Sequence, residues 1–202
     1  MNNCYIFGYG SLINSTSRAI TGITGKGLPV RINGVKRSWF TASLENPMAS
    51  VGIEADPKSS CNGILFPIAQ SELSNFDARE TGYYRALQSL SQIEFLSNDI
   101  NIVEDVWIYF AKQTHNPSQK QPIVQSYIDV IIEGCLEVGL DFTEEFIKTT
   151  TGWEYTWIDD RLFPIYPRPL DNNNTHLQID LIIQKFIPGL FDHRKPAHTH
   201  LN

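Results

Sequence analysis

The stretch Phe76-Asp-Ala-Arg-Glu-Thr-Gly-Tyr-Tyr-Arg85 packs two carboxylates, two guanidiniums and three aromatic rings into ten residues. A carboxylate flanked by rings and partly withdrawn from water has its pKa raised, the condition for a general base working near neutral pH. The same residues also fit a surface ion-pair cluster of Asp77, Arg79, Glu80 and Arg85, which perturbs pKa values without doing chemistry. A second stretch, Phe7-Gly-Tyr-Gly-Ser-Leu12, puts two glycines and a serine where an apolar run ends. Successive N–H groups in such a turn can converge on an anion, and the amides of Gly10 to Leu12 with the Ser11 hydroxyl suit a carboxylate or phosphate. The alternative reading is a plain turn.

Other chemistry is poorly supported. No Gly-Lys-Ser/Thr follows the loop, so it is not a phosphate-binding Walker loop, and Ile13 breaks both the dinucleotide pattern Gly-x-Gly-x-x-Gly and the Gly-x-Ser-x-Gly nucleophile elbow. Cys4, Cys61 and Cys135 are odd in number and lack metal-ligand spacing, which fits buried reduced thiols. His193, His198 and His200 invite a metal reading, but a site needs convergent ligands and a supporting shell, and a polar terminus offers neither. Trp153, Tyr155 and Trp157 with Glu154 and Asp159 could line a groove or form a satellite core.

These groups must be positioned by surrounding elements. Residues 3 to 8 are continuously apolar and predict a buried strand; Asn14-Ser-Thr-Ser17 offers a helix N-cap. Residues 28 to 44 are β-like with an Asn33-Gly34 turn signal, and 51 to 55 and 61 to 68 read as two strands around an Asp56-Pro-Lys-Ser-Ser60 turn. A short helix over 71 to 80 precedes strand-like segments at 83 to 95 and 104 to 111. Beyond Pro117, apolar residues from Ile123 to Cys135 recur at three and four positions, predicting an amphipathic helix that ends at Gly139. A further short helix starts at Thr143, and 176 to 186 reads as either helix or strand. The expectation is an α+β protein with a strand-dominated core over 1 to 115 and a mainly helical extension over 116 to 202 packed on it.

Composition limits the partners. A net charge of −6 argues against nucleic acid, and no run approaches the ~20 apolar residues of a membrane span. Without a basic and hydrophobic N-terminal leader, the chain is expected to stay in the cytosol.

Taken in order, the two chemistry-bearing stretches resemble the γ-glutamylcyclotransferase family. There a strand runs into a Tyr-Gly-Ser loop that grips the substrate, matched here by Tyr9, Gly10, Ser11 and Leu12. A downstream glutamate acts as acid/base, and Glu80 matches it in an Arg-Glu-x-Gly-Tyr context. The strand ending Tyr109-Phe-Ala111 resembles the family's last core strand, which implies that Tyr109 lines the pocket. The resemblance covers about residues 3 to 111 and implies a small, partly closed β-barrel with flanking helices, no metal and no coenzyme. It implies release of 5-oxoproline from a small γ-glutamyl compound, the substrate's α-amine attacking its own γ-carbonyl. Two rivals are a noncatalytic module gripping a γ-glutamyl or other carboxylate ligand, and a γ-glutamyl or acyl-processing enzyme of specialised metabolism.

Overall fold

The structure is a computed structural model that describes residues 3–43, 45–97, 102–170 and 173–197. Its main sheet is mixed. Strand β1 (Asn3–Gly8) lies at its centre, antiparallel to β3 (Ser50–Ala69) and parallel to β6 (Val106–Ala111). Outward from β3 come β2 (Leu28–Phe40) and then β5 (Ile93–Phe95); outward from β6 comes β4 (Tyr83–Leu87). Because β1 is covered on both faces, its Cys4, Ile6 and Phe7 are all buried, as a continuously apolar strand demands.

Two turn signals prove to be features inside long strands. β2 runs straight through Asn33-Gly34, and its pairing with β3 jumps from Asn33↔Ser60 to Val35↔Ala55. Gly34, at φ +86°, sits in the left-handed region that a bulge residue requires. Opposite it, the Asp56 carboxylate accepts from the Lys58 N–H (3.1 Å) and the Ser59 hydroxyl (2.6 Å), so the polar run folds on itself without ending the strand. Conversely, the stretch expected as one strand over 83 to 95 splits into β4 and β5, which lie on opposite edges of the sheet.

The expected partly closed barrel is not formed: the sheet is open, with β4 at one edge. Closure would need the outer edge of β2, but that edge already pairs with β5 at Val30–Ile32 and with β8 (Thr150–Thr151) at Arg37 and Ser38.

Past residue 115 the chain mixes helix and strand. After β7 (Ile123–Val124), helix α3 (Gln125–Val138) is followed by α4 (Leu140–Thr149), β8 and β9 (Trp157–Asp159), then α5 (His176–Phe186), α6 (Pro188–Phe191) and β10 (Lys195–Pro196). Strands β7, β9 and β10 form a second, parallel sheet. The α3 helix is buried on nearly every side from Gln125 to Ile132, more than an amphipathic face requires, because it packs against α4, the turn at Ser11–Ile13, α5 and β9 together. Its residues and those of β1, β2 and β3 belong to one hydrophobic cluster. Trp153 and Trp157 are core: with Trp39 they form a chain of ring contacts at 5.1 and 5.5 Å. All three cysteines are buried and unbridged, with burial pushing the Cys61 thiol up to about 11. No described helix is long and apolar enough to cross a membrane.

Candidate functional site

The end of β1 is held from several directions. Residues Ser11–Ile13 form one 3-10 turn, after which the Asn14 side chain accepts from the Ser17 N–H (2.8 Å) and caps α1 (Ser15–Ala19). The Arg18 guanidinium reaches back to the Leu12 carbonyl (2.9 Å). From below, the fully buried Arg37 donates to Asn62 (2.7 and 2.9 Å), to Thr150 (2.8 Å) and, at 3.4 Å, to the Tyr9 carbonyl. Among the described residues no carboxylate bonds Arg37; it stacks on Phe146 at 3.8 Å and takes carbonyl and hydroxyl oxygens instead, and burial lowers its pKa. Neither Gly8 nor Gly10 has a positive φ. Gly10 is needed for space: a Cβ there would lie 2.7 Å from Val51 and 3.0 Å from the Tyr127 hydroxyl.

The ten-residue stretch separates into two acid–base pairs. Helix α2 (Leu73–Arg79) is anchored by the fully buried Phe76 against Phe66 (5.6 Å) and stops where Glu80 takes the C-cap, its N–H bonded to the Phe76 carbonyl. Asp77 and Arg85 pair on the outside at 2.7 Å. Arg79 turns inward, its side chain 5% exposed, and donates to the Ser11 hydroxyl (3.0 Å), to the Ser17 carbonyl and hydroxyl (2.7 and 2.9 Å) and to Thr21. It thus ties α2 to the loop after β1. Its Nε lies 3.5 Å from the Glu80 carboxylate, itself 18% exposed.

Glu80, Ser11, Tyr83 and Tyr127 stand where two openings meet. A small pocket of about 40 Å³ is walled by Phe7 to Leu12, Val51 and Tyr109 in addition to Glu80, Tyr83 and Tyr127. A cleft of about 650 Å³ adds Met48, Arg79, Tyr166 and Arg168 to the four shared residues. The cleft is of ligand size, while the pocket has room for only a few atoms. Burial raises the Glu80 pKa above the ordinary glutamate value, against the opposing pull of the Arg79 and Arg168 charges. Burial likewise raises Tyr83 and Tyr127, keeping both hydroxyls neutral and able to donate. Tyr83 shares a hydrogen bond with Ser50 (3.0 Å), and the Tyr127 oxygen faces the N–H groups of Ser11 and Val51.

The residues singled out in the sequence therefore gather: Tyr9, Gly10, Ser11, Leu12, Glu80 and Tyr109 all line the small pocket. Two of them are committed elsewhere at their hydroxyls, Tyr109 donating to Asp77 (2.8 Å) and Tyr9 to the Tyr109 carbonyl. Sequence reasoning missed Arg79 as a loop anchor and did not find Tyr83, Tyr127, Tyr166 or Arg168. The last three come from the region past residue 115. Asp160 brings them in, accepting from the Ser126 N–H (2.8 Å) and hydroxyl (2.6 Å) at the start of α3 and from the Ile165 N–H (2.7 Å). This carboxylate caps α3 and lays the following loop across its N-terminus, so that Tyr166 packs on Tyr127 with ring centroids 4.8 Å apart. Among the described residues no group of three His, Cys, Asp or Glu side chains could hold a metal; His198 and His200 lie outside the described residues.

Among solved structures, the chain superposes on a gamma-glutamyl cyclotransferase with a TM-score of 0.60 and 16% identity, covering 91% of this chain and 99% of that one. An uncharacterised protein from Homo sapiens matches over the same shares with a TM-score of 0.57 and 16% identity. YkqA from Bacillus subtilis matches with a TM-score of 0.55 and 21% identity, over 73% of this chain and 54% of that one. The chain thus has the γ-glutamylcyclotransferase-like fold. No family model and no curated protein matches its sequence.

Proposed function

We propose that the protein releases 5-oxoproline from a γ-glutamyl compound. The reading rests above all on one observation: the loop after β1 and the Glu80 carboxyl line the same pocket. The likeness of fold to a gamma-glutamyl cyclotransferase supports it.

The chemistry asks little of the protein beyond orientation, because nucleophile and electrophile belong to one molecule. The substrate's α-amine nitrogen attacks its γ-carbonyl carbon, a C–N bond closes the five-membered ring, and the original amide C–N bond breaks to expel the amine partner. No water is consumed. The α-ammonium first loses a proton to Glu80, which gives it to the leaving nitrogen as the amide bond breaks. The second proton, shed by the attacking nitrogen as it becomes the lactam N–H, passes to Glu80 and on to the released amine, which leaves as its ammonium form. The raised pKa of Glu80 suits these transfers. The α-carboxylate is held by the amides of Gly10 to Leu12, with Ser11 kept in place by Arg79. The developing oxyanion takes a hydrogen bond from a neutral tyrosine, for which Tyr127 at the junction of pocket and cleft is the candidate. Tyr109 serves as pocket wall. Residues 1 to 115 supply the loop and the acid, and residues 116 to 202 complete the pocket through Tyr127.

The test is mass-spectrometric detection of 5-oxoproline from glutathione, a γ-glutamyl dipeptide and a γ-glutamylamine, with Glu80→Gln as control. Release by the parent and none by the variant is expected. Binding of these compounds without release by either protein would favour a noncatalytic module.

A further inference from the structure

We propose that Arg168 sets the substrate class: it receives a carboxylate carried by the leaving amine, so the cleft selects γ-glutamyl conjugates of amino acids or peptides over those of neutral amines. The identity of the head group rests on the reading above; the carboxylate preference rests on observations of its own.

The first is charge. Arg79 in the cleft wall is already spent, on Ser11, Ser17 and Thr21 and on the adjacent Glu80. Arg168 lines the same cleft, yet among the described residues it forms no ion pair, and its Nε is shielded from solvent without a hydrogen-bond partner. Glu45, exposed on the cleft wall, pairs with neither guanidinium. An arginine on a cleft wall with no carboxylate partner leaves the terminal N–H groups of its guanidinium to a ligand's oxygens. The fork of N–H groups matches a carboxylate in two places at once.

The second is position. Arg168 lines only the cleft, and Glu80 lines both cleft and pocket. A substrate whose α-carboxylate enters the pocket at the loop amides breaks its amide bond beside Glu80, at the mouth of the pocket, and the departing amine then lies on the cleft side, where Arg168 is. The third is rigidity. Arg168 stands between Pro167 and Pro169, whose rings fix the backbone, and its guanidinium rests 5.4 Å from the Tyr166 ring. Tyr166 is tied in turn to the Ser126 hydroxyl through its N–H (3.3 Å) and to Tyr127 by ring packing. A preplaced guanidinium loses little entropy on binding, which is how a single side chain can discriminate.

The deciding comparison uses γ-glutamylglycine and γ-glutamylglycinamide, which differ by one charge at nearly constant shape. The full chain, Arg168→Gln and Arg168→Lys are compared by 5-oxoproline release and by calorimetric binding. Wild type is expected to favour the acid by about 10- to 100-fold in kcat/KM, the value of a charged hydrogen-bonded contact. Arg168→Gln should bring the two substrates towards parity, chiefly through KM, and Arg168→Lys should restore part of the preference. A wild type without preference, or a preference that survives Arg168→Gln, overturns the proposal. If neither compound yields 5-oxoproline, the cyclisation reading falls and calorimetry decides Arg168 alone: a Kd preference abolished by Arg168→Gln upholds it, and its absence refutes it. Should Arg168→Gln fail to fold, an undiminished preference in Arg168→Lys is the refuting result.

Discussion

Two clusters of arginines and acids lie on either side of α3, and they are built differently. In one, Arg161 bonds both oxygens of Asp129 (2.8 Å each) and both of Asp180 (2.9 and 3.0 Å), while Arg194 meets Asp180 (3.0 Å), Asp159 (3.5 Å) and Gln125 (2.9 Å). Each cation there faces more than one carboxylate. In the other, the Glu80 carboxylate feels the charges of both Arg79 and Arg168, and Arg168 forms no ion pair among the described residues. The first cluster is saturated by the fold and its geometry leaves nothing for a ligand; it joins α3, α5 and the segment after α6. The second keeps donors and a half-buried acid facing a cleft. Balance of partners, more than density of charge, separates scaffold from site.

The largest effect expected is in the site. Glu80→Gln should lower 5-oxoproline release by roughly 10²- to 10⁴-fold while circular dichroism and melting temperature stay near the parent's, since the change removes a proton acceptor and keeps the shape. Equal rates for variant and parent would place Glu80 with the scaffold. Next comes Arg161→Met. With the guanidinium gone, Asp129 and Asp180 lose their principal partner in a poorly solvated place, so urea denaturation should show a loss of about 3–5 kcal/mol. A loss below about 1 kcal/mol would erase the contrast.

Gly10→Val should weaken ligand binding measured by calorimetry, because the new side chain meets Val51 and Tyr127 and must push the loop aside. Unchanged affinity would detach the loop from the site.

Acid sharpens the comparison because the two clusters titrate in opposite senses. Burial pushes the Asp180 carboxyl up, but the hydrogen bonds and charges of Arg161 and Arg194 outweigh it and hold the pKa below the ordinary aspartate value. Its contribution to stability is therefore present above that value and fades as pH falls through the lowered pKa. Glu80 has a raised pKa, so the base form is gained only as pH rises through a value above 4.5. Initial rates should climb with pH on that limb, and a rate flat across it would remove Glu80 as the base. The smallest effect belongs to the outer pair: Arg85→Gln should cost about 1 kcal/mol or less, read from the urea midpoint, because Asp77 and Arg85 are substantially solvated.

Much of the candidate site was legible in the sequence, in that the residues named there line one pocket. An apolar strand that breaks at Gly8 to Ser11, and an acid set among rings at Glu80, are local facts that survive any tertiary arrangement. So is the helix from Gln125, whose period declared it. The barrel was not legible, because whether a sheet closes depends on which partners its edges find; here the edge of β2 was taken by β5 and β8, the latter from about a hundred residues further on. Nor could pattern tell the Asn33-Gly34 bulge from a hairpin turn, since both ask for the same glycine.

The residues alone thus offered candidates for chemistry: a glycine-rich bend that could take an anion and a carboxylate set among rings. The fold decided which of two neighbouring acid–base pairs turned inward, and it brought Tyr127, Tyr166 and Arg168 to the cleft from beyond residue 115. The reason is range. Strand exits and helix periods are written in a few adjacent residues, whereas the surroundings of Glu80 depend on Asp160 fastening a distant loop over the start of α3, a contact no neighbour in the chain encodes.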